Sequence, residues 1–104
     1  MANNIFGESY GSTELQYLAI STISEDYTLT NLDCVINVDG DYTITLPLAS
    51  ENEGKIYHIK NISTEQVTVK TSDSELIDGS ETALIKTQYE SIKLISDGTG
   101  WSIL

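Results

Sequence analysis

Cys34-Val35-Ile36-Asn37-Val38-Asp39-Gly40-Asp41-Tyr42-Thr43-Ile44-Thr45-Leu46-Pro47 is the stretch that decides the fold class. Side chains alternate faces along a strand, so Cys34, Ile36 and Val38 share one face of a first run, and Tyr42, Ile44 and Leu46 share one face of a second. Between the runs, Asp39-Gly40 offers the positive φ that a tight turn requires. Pro47 closes the second run, because its ring fixes φ and it has no N–H to give to a ladder. The stretch predicts two strands joined as an antiparallel hairpin, with Cys34 as a small buried residue of the first.

The same pattern continues downstream. Lys55 to Ile62 places Tyr57 and Ile59 on one face and Ile56 and His58 on the other, so both faces of that strand are partly apolar and are expected to be covered, in a core or where subunits meet. Val67 and Val69 alternate with Thr68 and Lys70. Leu76-Ile77 runs into Asp78-Gly79, Ala83-Leu84-Ile85 follows, and Ile92 and Leu94 flank Lys93. Asp97-Gly98 then turns the chain into Trp101-Ser102-Ile103, where Trp101 is expected to be buried at the end of the core. Strands recurring about every ten residues predict an all-β domain, an antiparallel sandwich or barrel-like unit over residues 25–104.

Residues 1–24 read differently. Leu15, Leu18, Ala19 and Ile23 form a small apolar cluster at spacings that suit a short helix, with Thr13 and Gln16 as a capping box. The β-branched continuation Ile20-Ser21-Thr22-Ile23 suits an extended arm equally well. In either form the cluster is too small for a core of its own, and it is expected to dock on a partner while the β domain folds without it.

Composition removes several classes of function. A chain of 104 residues holds one core. Five Lys, no Arg and sixteen Asp plus Glu give a formal net charge of -11, which repels nucleic-acid phosphates and anionic lipid surfaces. No nucleic-acid partner and no membrane insertion are therefore expected. The amino terminus lacks the basic and apolar regions of a secretory signal, which predicts synthesis in a cytoplasm. Cys34 is the single cysteine and has no partner for an intrachain disulfide.

Catalytic chemistry finds little to work with. The lone histidine, His58, lies within a strand, and no Gly-x-Ser-x-Gly element accompanies it. One His and one Cys cannot complete a zinc site, and the acidic loops lack the Asp-x-Asp-x-Asp-Gly order of an EF-hand. Most acids flank turns, where Asp accepts bonds from nearby amides. Asn61-Ile62-Ser63 has the form of a glycosylation acceptor, which carries weight only in a secreted chain. The expectation is no enzyme, no metal and no cofactor.

Thr43-Ile44-Thr45-Leu46-Pro47, Gly54-Lys55-Ile56-Tyr57-His58-Ile59-Lys60-Asn61, Val67-Thr68-Val69, Ile77-Asp78-Gly79 and Ser96-Asp97-Gly98-x-x-Trp101 occur in an order that resembles the small β domains of tail fibres, tail spikes and other surface proteins of tailed bacteriophages. The resemblance spans residues 26–104. It implies a structural role in the virion, assembled in the host cytoplasm, with strands of three identical chains packed around a threefold axis and no catalytic residue. Under it, Ile56, Tyr57, Ile59 and Trp101 belong to the core or the subunit interface, and Leu15, Leu18, Ala19 and Ile23 dock on other virion proteins. A tail-fibre-like part and a head-decoration or head-fibre protein both fit. A domain that binds host surface glycans is the alternative, with a hydrolase built from carboxylates shared between subunits a weaker third.

Overall fold

The computed structural model describes residues 17–104, and these are all-β. Nine strands follow one another: β1 (Ile20–Ile23), β2 (Tyr27–Thr28), β3 (Val35–Val38), β4 (Thr43–Thr45), β5 (Ile56–Asn61), β6 (Val67–Lys70), β7 (Thr82–Ile85), β8 (Ser91–Ser96) and β9 (Trp101–Ile103). They form two open mixed sheets, a five-stranded one ordered β1-β3-β5-β8-β9 and a four-stranded one ordered β2-β4-β6-β7. Neither sheet closes into a barrel.

Up to β6 the chain passes from one sheet to the other with every strand, so each strand pairs in parallel with the one two places later. Ile20 sits beside Val35 and Val35 beside His58 in the first sheet, and Tyr27 sits beside Ile44 and Ile44 beside Val69 in the second. Three turns of a coil result, β1–β2, β3–β4 and β5–β6. Parallel neighbours need a long crossover, and here a strand of the opposite sheet serves in place of a helix. The antiparallel order expected for the whole domain holds only afterwards, where β6 pairs with β7, β5 with β8 and β8 with β9.

The expected hairpin at Asp39-Gly40 is accordingly corrected: β3 and β4 lie in different sheets. Period-two alternation fixes which side chains face inward, and Ile36, Val38, Ile44 and Leu46 are all fully buried. They meet across the core from opposite sheets instead of side by side in one. The corner is tight. Gly40 holds φ at +140°, Tyr42 donates its N–H to the Gly40 carbonyl, and a Cβ on Gly40 would lie 2.5 Å from the Tyr42 ring. Gly40→Ala should therefore cost about 1–3 kcal/mol through strain at that φ, measured by urea unfolding, with the ring forced to move as well.

The core between the sheets joins Leu29, Ile44, Leu46, Val67, Val69 and Ile85 to Ile36, Val38, Tyr57, Ile59, Leu94 and Trp101, with Ala49 and Ile77 at its margins. Cys34 is not part of it: it precedes β3, is half-buried, and its sulfur accepts from Lys55 Nζ at 3.7 Å. Residues 20–23 are strand and not helix. Ile23 packs against the core and β1 is bonded to β3, so the sheet begins at Ile20, inside the segment assigned to the arm. Thr13, Leu15 and Gln16 lie outside the described residues.

Candidate interaction surfaces

Every Asp and Glu among the described residues lies outside the nine strands, whose only Lys and His positions are His58, Lys60, Lys70 and Lys93. Alternation leaves one outward face per strand, which carries Thr, Ser, Asn and Lys together with Ile20, Val35, Ile56, Leu84 and Ile95. The acids gather in the loops, where six of them accept backbone N–H groups.

Asp26 Oδ1 accepts from Thr43 N at 2.9 Å and Asp33 Oδ2 from Thr30 N at 2.8 Å. The two carboxylate oxygens of Glu75 take Ala49 N and Ser50 N. Asp78 binds Ile103 N and Glu90 binds Thr87 N. Asp97 Oδ1 accepts from Thr99 N and Gly100 N, and then from the Thr99 hydroxyl; these bonds favour the ionised form and hold its carboxyl below the usual range. Carboxylates used this way fix loop shape.

The side chains singled out in the sequence fall in two places. Tyr57 and Ile59 are fully buried and Trp101 is 2% exposed, so these three are core. The Tyr57 and Trp101 rings lie 5.6 Å apart. Ile56 is 38% exposed on the outer face of β5, with His58 half-buried on the same face. Of the proposed docking residues, Leu18 and Ala19 are exposed and Ile23 is half-buried, while Leu15 falls outside the described residues.

Tyr57 donates its hydroxyl to the Thr30 carbonyl at 2.7 Å. Burial, reinforced by the nearby Asp33 and Cys34, pushes its pKa up to about 12 from the ordinary 10.0. The Tyr27 hydroxyl is raised too, first by its hydrogen bond to Asp33 and then by burial. A phenol that holds its proton more firmly in the folded state stabilises the fold fully below pH 10, and that contribution is lost as pH rises towards 12. Thermal melts should show stability falling across that window, and Tyr57→Phe should flatten most of the fall. An unchanged profile in the variant would assign the effect elsewhere.

A polar strip runs over the outside of the four-stranded sheet and was not foreseen as a site. One open groove is lined by Asp26, Tyr27, Thr28, Thr43, Thr45 and Lys70. A second, which shares Lys70, is lined by Thr71, Asp73, Ser74, Glu81 and Thr82. Its signal lay in the outward threonines of Thr43-Ile44-Thr45 and Val67-Thr68-Val69-Lys70, visible only once those strands are neighbours. Among the described residues no group of three or more His, Cys, Asp or Glu converges as metal ligands, and no helix is long and apolar enough to cross a membrane.

Asn61 has a different use from the glycosylation acceptor its tripeptide suggests. It is fully buried, and its Nδ2 donates to the carbonyls of Glu65 and Ile85 while its Oδ1 accepts from Ser63 N and Oγ. The bond to Ile85 crosses from the first sheet to the second. No part of this amide is free to carry a sugar in the folded chain.

The chain matches no family model, no curated protein and no solved structure.

Proposed function

We propose that the chain is a non-enzymatic structural protein of the phage virion surface, tail-fibre-like or head-decorating, assembled as a homotrimer and attached through its amino-terminal segment. The observation that carries this reading is the use of the acids. Six of the fourteen Asp and Glu among the described residues brace loops through backbone N–H groups, as in a building element whose shape is its product. The resemblance of residues 26–104 to small β domains of phage surface proteins supports the same reading, and the exposed Leu18 just before the first strand suits attachment.

Two measurements test it. The purified chain should sediment as about three copies at micromolar concentration, and antibodies raised against it should label intact phage particles. A concentration-independent monomer would remove the trimer, and labelling only of disrupted particles would remove the surface location. Deleting residues 1–19 leaves all nine described strands in place. It should abolish incorporation while the β domain stays folded; incorporation of the truncated chain would move the attachment elsewhere.

The polar strip favours a second reading, a domain that binds host glycans, because hydroxyls, carboxylates and a lysine lining an open groove suit sugar hydroxyls. Glycan-array binding abolished by Lys70→Ala would establish it, and an array without signal would set it aside.

A further inference from the structure

We infer that the outward face of the five-stranded sheet is the surface through which copies of this chain pack on one another. The inference rests on the reading of the chain as a self-assembling protein and assigns the face that does it.

The register places two rows of outward side chains side by side. One crosses four strands as Ile20, Val35, His58 and Lys93, and the other pairs Ile56 with Ile95 and continues to Ser102. Ile20 is 65% exposed and Ile56 is 38% exposed. Lys60 stands beside them on β5, its ammonium 5.7 Å from the centre of the exposed Tyr89 ring. The result is an aliphatic patch flanked by cations, and no strand contributes a carboxylate to it.

The occupant follows from charge. Two chains that each carry -11 repel wherever their loop ends meet within a Debye length, about 8 Å at physiological salt. No strand carries an acid, but Asp26, Asp73 and Glu81 line the grooves on the outside of the four-stranded sheet. That outer face offers threonines, Lys70 and a single large aliphatic, Leu84, so little apolar area would be gained there. The five-stranded face offers four aliphatics, and its lysines would meet, on the next copy, the acids at the ends of the same strands, Asp39 after β3, Glu90 before β8 and Asp97 after it. A second copy of the chain therefore supplies both the apolar area and the opposite charge.

The test is sedimentation velocity on the full chain over a range of concentrations, with far-UV circular dichroism as the check on folding. Ile56→Asp and Lys93→Glu should each weaken association about tenfold or more, whereas Thr45→Asp, on the outside of the other sheet, should leave it unchanged. Lys93 is exposed, so Lys93→Glu decides the matter if Ile56→Asp fails to fold. Should both variants associate like the parent, or should Thr45→Asp alone dissociate, the assigned face is wrong while self-assembly stands. A parent chain that stays monomeric overturns both.

Discussion

Replacing Trp101 with Ala lowers the unfolding free energy by about 3–5 kcal/mol, the range for truncating a large buried aromatic to a methyl group. The ring is 2% exposed, packs on Tyr57, and closes the end of the core between β8, β9 and the Leu76–Ile77 segment. Its backbone is equally committed. Trp101 N donates to the Leu76 carbonyl at 2.8 Å, and the Trp101 carbonyl accepts from Asp78 N at 3.0 Å. The preceding Gly100 allows this approach, since a Cβ there would lie 2.8 Å from the Leu76 carbonyl oxygen.

Trp101→Phe separates packing from polarity. The indole Nε1 is buried with no acceptor among the described residues, so phenylalanine keeps a ring in place and removes an unsatisfied donor. Urea unfolding followed by circular dichroism should give a far smaller loss for Phe than for Ala. Equal losses would mean that the indole edge contributes more than its area.

Asn61→Leu should cost about 2–4 kcal/mol, since it takes the amide from two buried groups, the Ile85 carbonyl and Ser63 N, each worth about 1–3 kcal/mol when left unpaired. The Glu65 carbonyl and Ser63 Oγ also lose the amide but keep their bond to each other. Leucine of similar volume keeps the space filled, so the loss reports hydrogen bonding and not a cavity. Asn61→Asp keeps the acceptor for Ser63 and brings a carboxylate up to two carbonyl oxygens, and it should be at least as damaging. An Asn61→Leu chain as stable as the parent would show that water replaces the amide.

Strand positions were largely legible in the sequence, and strand partners were not. Alternation groups the side chains of a run by face, as for Ile44 and Leu46. Where both faces are apolar, as at Ile56 to Ile59, it does not say which one turns inward; Tyr57 and Ile59 do, and Ile56 stays 38% exposed. Alternation is silent on whether two inward faces lie side by side or opposite each other. Asp-Gly occurs three times with three outcomes. At 78–79 both residues adopt positive φ, 48° and 88°, and Ile77 and Ser80 exchange hydrogen bonds across a two-residue turn. At 97–98 the pair joins β8 to β9 with Asp97 bonded to the amides beyond it. At 39–40 it carries the chain to the other sheet. The dipeptide supplies backbone freedom, and packing several strands away decides its use. Asn61 was hidden for the same reason, because its partner Ile85 belongs to a strand far along the chain, in the opposite sheet.

The parallel winding of the first three coils also sets an order of events during synthesis. Nearest-neighbour hairpins can form as soon as they are made, whereas pairings distant in sequence must first overcome the entropy of closing the intervening chain. β3 leans on β5 and β5 on β8, and the end of the core is shut by Trp101, which is made after all of them. The amino-terminal coils therefore emerge before the strands that complete their core, which stays open at one end until β8 and β9 bring Leu94 and Trp101. In the interval the loop acids, already exposed and mutually repelling, keep nascent chains apart from one another.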